Sequence, residues 1–515
     1  MGGSLAAVVL AAAWVATWRP QLDPDAWWHL AIGDSIASTG AIPSTEQFSW
    51  LTAGDPFVAH SWLWDLLLAW AWRFGGATGT SLLIVPVTAL VVWLLWHMLG
   101  LAAPGVPPLG RAVLVLAAVV VTLPTWAPRA QTLDVAFVLA TILVLARYLK
   151  FGARRGLVAL PVLGLLWANL HGSAILAFPA CVAVALVALP IGERWSAWPR
   201  RRVWPLTVAG LAGLSAMLLN PYGVRLLSYP FDRGVASAFS PAIVEWRSPD
   251  FGAVELMPFR LLLAGLLLVA ISFPARPRDP LLLLAAAAWT FAALGSVRFL
   301  SIAGPLLVVA LAPAVGMAVA RRLGATKERH VEGSKAAAEP AGASVSGRGS
   351  PGPAFAIAGV AIAGILAAGW LIIDPPRQAG AIERRLPVAA VAALKASGCT
   401  ARLLPSYGWA GYVTWATGHQ VGAYGNSPER PVNEQARLEA VVVDPRPWLD
   451  EHEVGAILMP ADGPLSHWLD EADAWRLTYA DPQATVHLRE GATGCAFPAP
   501  PETRRSPQAR PTTRG

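Results

Sequence analysis

Long apolar runs alternate along this chain with short clusters of Arg, Lys, Pro and Gly. The runs at 82–99, 133–149 and 355–373 each approach the roughly 20 residues a membrane-crossing helix requires. Basic residues collect between runs: Lys150, Arg154 and Arg155, then Arg194 and Arg200 to Arg202, then Arg276 and Arg278, then Arg321, Arg322, Lys327 and Arg329. Short cytoplasmic loops are enriched in Lys and Arg, so these loops are placed inside. The segment from Arg19 to His60 then faces outward, and it carries Asp23, Asp25, Asp34, Glu46 and Asp55 against Arg19 alone. Sides alternate only if the apolar stretch 61–74, which is short and holds Asp65, lies at the outer interface as a helix that does not cross. The pattern predicts eleven spans near 2–18, 79–99, 112–128, 131–149, 156–170, 173–190, 203–219, 259–273, 280–297, 299–320 and 354–373, with a cytoplasmic N-terminus.

Other segments read differently. Residues 321–353 shift to Ala, Gly, Ser, Glu and Lys without periodicity, as in a disordered cytoplasmic linker before the last span at 354–373. Residues 374–498 read as a small α/β domain outside the membrane, helical at 387–396 and 432–443 and extended at 401–407 and 411–416. The Pro-, Arg- and Thr-rich tail 499–515 reads as disordered. Composition agrees with a polytopic membrane protein: 55% of the 515 residues are hydrophobic and 14% charged, against about 25% charged in soluble domains. The mean hydropathy is +0.51. The net charge of +7 therefore orients loops, and no nucleic-acid partner is expected. Cys181 falls inside a span, whereas Cys399 and Cys495 fall in the outer domain, where an oxidising compartment lets them pair or leaves them free. No Cys/His spacing suggests zinc. The first helix lacks a basic leader and reads as a retained span.

Candidate chemistry is concentrated after the first helix, in Asp23-Pro24-Asp25-Ala26-Trp27-Trp28-His29-Leu30. Asp followed by Pro is the signature of a helix start, with Asp23 as N-cap and Pro24 at the first helical position. Asp25, His29 and Gly33 recur every four residues, so they share one helix face, either a polar pocket wall with room beside it or an exposed acid–imidazole pair. Trp28, Ile32 and Ile36 form an adjacent apolar stripe suited to the membrane interface. His60, at the start of the 61–74 helix, joins the same site or caps that helix. Arg129 and Arg298, each at an outer helix end, either meet a lipid phosphate or reach to the headgroups. Asn169 and His171 interrupt an apolar stretch, which marks a cavity lining or a tight turn. Glu245, Arg247 and Asp250 put charges above the membrane, for a substrate hydroxyl, a metal or one another.

These stretches, together with Asn220-Pro221-Tyr222-Gly223, resemble a family of bacterial polytopic membrane proteins that is in turn similar to the GT-C superfamily of glycosyltransferases using polyprenyl-phosphate sugars. The resemblance covers residues 1–320, with 19–78 as the first outer loop and its interfacial helices. It implies a GT-C-like helical membrane fold with the small α/β domain appended. It implies an enzyme of the bacterial plasma membrane that moves a sugar from a polyprenyl-phosphate donor to a glycan, lipid or protein acceptor outside the membrane. Asp25 would be the base, Asp23 would orient it or share a divalent cation such as Mg or Mn, and His29 would hold the carboxylate or contact the acceptor. Arg129 or Arg298 would meet the phosphate. The chain departs from the family where an Asp-Gly-Arg segment is expected, having Ala423-Tyr424-Gly425-Asn426-Ser427-Pro428, so the outer domain is given no catalytic role. A non-catalytic carrier of lipid-linked saccharide, or a partner in an envelope complex, is the alternative.

Overall fold

A computed structural model describes residues 2–192, 200–229, 231, 246–272, 279–335, 352–492 and 494–497. The chain divides into two units, residues 1–44 with 56–381, and 45–55 with 382–515. The first is helical. Its elements include α1 (Gly2–Val15), α2 (Asp25–Thr39), α3 (Trp62–Ala102), α4 (Pro108–Val121), α5 (Gln131–Phe151), α6 (Ala159–Leu170), α7 (Ala174–Gly192) and α8 (Arg200–Ala216), followed by Met257–Ser272, Pro280–Gly295, Leu300–Lys335 and Gly352–Ile373. Each of the eleven apolar stretches coincides with one of these helices. Among the described residues four helices are long and apolar enough to cross a membrane: Trp62–Ala102, Gln131–Phe151, Val297–Ala318 and Ala354–Arg385.

Local chemistry sets the boundaries. The stretch at 112–128 is shortened to Val121, because Thr122 leaves helical geometry and Pro124 heads a 3-10 turn, Leu123–Thr125. Helix α3 is broken where Gly75 takes φ −150° and Gly76 φ +55°, a backbone region that glycine enters without steric cost. The 61–74 stretch is therefore set apart from the longer apolar run after it. The segment read as linker is corrected in part: the helix from Leu300 continues to Lys335, since Ala, Arg, Leu, Lys and Glu at 318–329 are strong helix formers. The rest of that linker and the tail lie outside the described residues. Helix α2 packs on α3, α1 on α4 and on Gly352–Ile373, and α5 on α3 and α7.

The second unit is built on a four-stranded sheet in the order β1-β2-β4-β3, with β1 Leu403–Pro405, β2 Ala456–Pro460, β3 Trp475–Ala480 and β4 Ala484–Arg489. β1 pairs with β2 in parallel, and the other pairings are antiparallel. Leu404, Ile457, Met459, Leu465 and Leu469 form its core. Helices Val388–Ala396 and Glu429–Glu439 fall where the pattern places them, whereas 411–416 is helical, within Tyr407–Thr417. Its Tyr, Val, Thr and Trp carry strand propensity, but a distant carboxylate overrides it: Glu439 accepts the Tyr407 amide at 2.7 Å and the Ser406 hydroxyl at 2.9 Å. Residues 45–55 of the first outer loop belong to this unit. Val421 and Phe48 exchange a backbone bond, Ser49 Oγ donates to the Gly422 carbonyl at 2.6 Å, and Trp50 Nε1 donates to the Leu403 carbonyl at 3.0 Å. Cys399 and Cys495 are joined by a disulfide, and Cys181 is buried and free.

Candidate active site

Asp23 closes the start of α2. Its Oδ1 accepts the Asp25 amide at 2.9 Å, while Pro24, at φ −59° and ψ −34°, already has helical backbone. The second carboxylate oxygen of Asp23 and that of Asp25 each lie 3.4 Å from Arg129 Nη1. Asp25 Oδ1 also accepts from Trp28 Nε1 at 3.3 Å. The Asp25 side chain is 40% exposed and that of Asp23 12%, so Asp25 is the carboxylate offered to a ligand. Arg129, just before α5, and Arg298, in the turn before Leu300, line one cavity of about 130 Å³ with Pro124, Trp126, Thr132 and Ser301. Arg298 also stacks over Trp246, its guanidinium carbon 4.8 Å from the ring centroid. Two guanidiniums on one small cavity suit an anion with several oxygens.

His29 turns from Asp25 toward α3. Its Nδ1 lies 2.5 Å from Asp65 Oδ1, both side chains being buried, and Trp28 stacks on its ring at 3.5 Å. Burial pushes the His29 imidazole down to about 3, because a charged ring loses its hydration there. Asp65 Oδ2 has no hydrogen-bond partner among the described residues. The face shared with Gly33 is corrected by the structure. There is no room beside it, since a Cβ on Gly33 would collide with the Asp65 carbonyl. The stripe read as interfacial is likewise internal, Trp28, Ile32 and Ile36 being 7%, 0% and 6% exposed, because α3 covers it.

His60 bonds through Nδ1 to Ser61 Oγ at 2.8 Å. Its ring centroid is 6.2 Å from that of Trp28 and 5.7 Å from that of His171, and burial holds its pKa well below the ordinary value. His171 Nδ1 lies 2.8 Å from Asp134 Oδ1, which also accepts from Trp167 Nε1 at 2.9 Å and Ser173 Oγ at 2.6 Å. Three donors thus converge on one carboxylate, which fixes the His171 ring with Nδ1 toward Asp134. Asn169 ties helices: Oδ1 accepts from Trp62 Nε1 at 3.0 Å, and Nδ2 donates to the carbonyls of Leu165 and Leu219. Arg247 is exposed, and its carbonyl accepts the Val297 amide. Asp250 Oδ1 takes the Gly252 amide of its own loop at 2.8 Å. Glu245 lies outside the described residues.

The structure thus brings Asp23 and Asp25 against Arg129, which shares a cavity with Arg298, and sets His29 and His60 beside Trp28, with His171 beside His60. Asp65 is named from the sequence in the 61–74 stretch without a place in the site, and Asp134 is passed over, although each is a lone acid within an apolar helix, the signal that singled out Asn169 and His171. A divalent cation shared by Asp23 and Asp25 would need the place where Arg129 stands against both. Among the described residues, no group of three His, Cys, Asp or Glu converges. The acidic pair is therefore a poor metal site, and no step below uses one.

No protein-family model matches the chain, and no curated protein matches it in sequence. Solved structures do match in shape. The chain is similar to the archaeal oligosaccharyltransferase AglB from Archaeoglobus fulgidus, solved with an inhibitory peptide and a dolichol-phosphate, at a TM-score of 0.58 and 13% identity, over 89% of this chain and 69% of that one. At that identity the likeness is one of fold. ArnT from Cupriavidus metallidurans, in the apo state, agrees at a TM-score of 0.52 and 15% identity, over 94% of this chain and 96% of that one. The likeness in fold spans most of the chain.

Proposed function

We propose that this protein is a glycosyltransferase of the bacterial plasma membrane that moves a sugar from a polyprenyl-phosphate donor to an acceptor hydroxyl of a glycan, lipid or protein outside the membrane. The observation that carries the reading is the pairing of Arg129 and Arg298 on one cavity with the exposed Asp25 carboxylate held 3.4 Å from the first of them. One of the structural neighbours is an oligosaccharyltransferase solved with a dolichol-phosphate, which agrees with that substrate class.

In this reading the acceptor oxygen attacks the anomeric carbon as the bond from that carbon to the phosphate oxygen breaks. The acceptor proton passes to Asp25, and Asp23 holds the start of α2 so that Asp25 faces the acceptor. The departing polyprenyl phosphate keeps both bonding electrons, and Arg129 and Arg298 stabilise its growing charge. His29, packed beneath Trp28 and bonded to Asp65, fixes the wall on which Asp25 is mounted. The disulfide supports an oxidising side for the second unit, and the basic loops support a cytoplasmic N-terminus.

The test is transfer from a panel of radiolabelled polyprenyl-phosphate sugars in proteoliposomes. Asp25→Asn is expected to lower turnover about 10²–10⁴-fold, the range of a lost general base. Equal transfer by both proteins would remove Asp25 from this role. Donor that is bound or carried across the bilayer by both and consumed by neither would replace the enzyme by a carrier.

A further inference from the structure

Arg129 stands in two places at once. Its Nη1 lies 3.4 Å from both Asp23 and Asp25, and its side chain is part of the cavity wall that Arg298 completes. Charge-assisted nitrogen–oxygen bonds close to about 2.7–2.9 Å when they are fully formed. One nitrogen stretched between two carboxylates at 3.4 Å is thus held loosely by each. Neither acid depends on it alone, because Asp23 also accepts the Asp25 amide and Asp25 also accepts the Trp28 indole. Arg298 differs in having the face of Trp246 beneath it.

We infer that Arg129 is exchanged between the acidic pair and the donor phosphate, so that Asp23 and Asp25 compete with lipid phosphate for one guanidinium. This rests on the lipid-phosphate reading of the cavity and adds a regulation of that site. With the cavity empty, Arg129 neutralises the acids and the base is restrained. Entry of the donor phosphate draws Arg129 toward the cavity, and Asp25 becomes available only when there is a sugar to transfer. After transfer the product phosphate competes with the same two carboxylates, which favour its release. The two substrates are thereby coupled without a moving lid, through a single side chain whose partners change.

The coupling is read by equilibrium binding of geranylgeranyl phosphate, a short polyprenyl phosphate without sugar, to the full chain in detergent. Asp25→Asn is expected to bind this probe about 5- to 20-fold more tightly than the native protein, the size of an ordinary coupling between two sites. Arg129→Gln should bind more weakly, and adding Asp25→Asn to it should change nothing further. Asp34→Asn removes the same charge from the same helix, at an exposed carboxylate paired with Arg73, and should leave affinity near the native value. The inference is overturned if Asp25→Asn binds no more tightly, if the gain persists without Arg129, or if Asp34→Asn matches it. Absence of binding by the native protein would instead remove the lipid-phosphate reading on which the inference stands.

Discussion

At Gly33 one methyl group decides whether two helices can touch. A Cβ there would collide with the Asp65 carbonyl and come within 2.8 Å of the Ala69 Cβ, so the backbones of α2 and α3 meet this closely only because the residue is glycine. Gly33→Ala is expected to cost about 1–3 kcal/mol by overpacking and to loosen the bond between His29 and Asp65. A fall in the thermal unfolding midpoint of the purified protein checks this, and an unchanged midpoint would mean that the helices part freely. The spacing of Asp25, His29 and Gly33 is legible in the sequence, but what fills the space beside them is not, because the partner is 32 residues away (Asp65 from Gly33). The same holds for Arg129. The residue stands out as a cation at a helix end, while its position against Asp23 and Asp25 arises only when α2 and α5 are brought together. Asp134 could have been noticed as a lone acid one turn into an apolar helix, but its three donors come from Trp167, His171 and Ser173, all on the far side of a loop.

At the scale of elements, period and turn residues locate the helices well, and errors occur where a distant group supplies what the local sequence lacks. Tyr407–Thr417 has no side-chain cap of its own, and the Glu439 carboxylate takes that place. A carboxylate at a helix N-terminus is stabilising by about 0.3–1 kcal/mol when exposed, and more when partly buried. Burial raises the Glu439 carboxyl above its ordinary value, and the bonds from Gln435, Tyr407 and Ser406 oppose this. Strand β4 shows the opposite titration. His487 is wholly buried on it, with Nε2 2.8 Å from Asp470, and burial pushes its imidazole below the ordinary 6.5 against the pull of Asp470. Below about pH 6.5 the unfolded chain therefore binds a proton that the folded unit refuses, and by linkage stability is lost as pH falls through that range. Limited proteolysis of the full chain should cut the second unit faster near pH 5.5 than near pH 7.5, and His487→Gln should reduce this difference. Equal cutting of the native protein at both pH values would show that His487 is protonated within the fold.

At the scale of the whole molecule, the eleven apolar stretches and the polar unit after them are visible in hydropathy alone, since burying or exposing apolar side chains is what the bilayer selects. Membership of residues 45–55 in the second unit is not visible, because nothing in Glu46, Phe48, Ser49 and Trp50 distinguishes an anchoring loop from any other turn-rich one. Their partners, Tyr424, Val421, Gly422 and Leu403, lie more than 350 residues on. Charge predicts sidedness: each Lys or Arg near a span end resists translocation, so clusters such as Lys150, Arg154 and Arg155 are expected inside and α2 with its acidic start outside. The proposed chemistry depends on this, because Asp25 and the acceptor must face the same side. In a background with Cys399 and Cys495 changed to Ser, where the remaining Cys181 is buried, single cysteines can report each face. Thr39→Cys, at the exposed end of α2, should react with a membrane-impermeant maleimide in intact bacteria. Arg155→Cys, exposed in the turn after α5, should react only after the membrane is opened. The reverse pattern would place Asp25 in the cytoplasm, where the donor sugar would have to be met from the inner leaflet. Reaction of both in intact cells would mean that an even number of helices crosses between them.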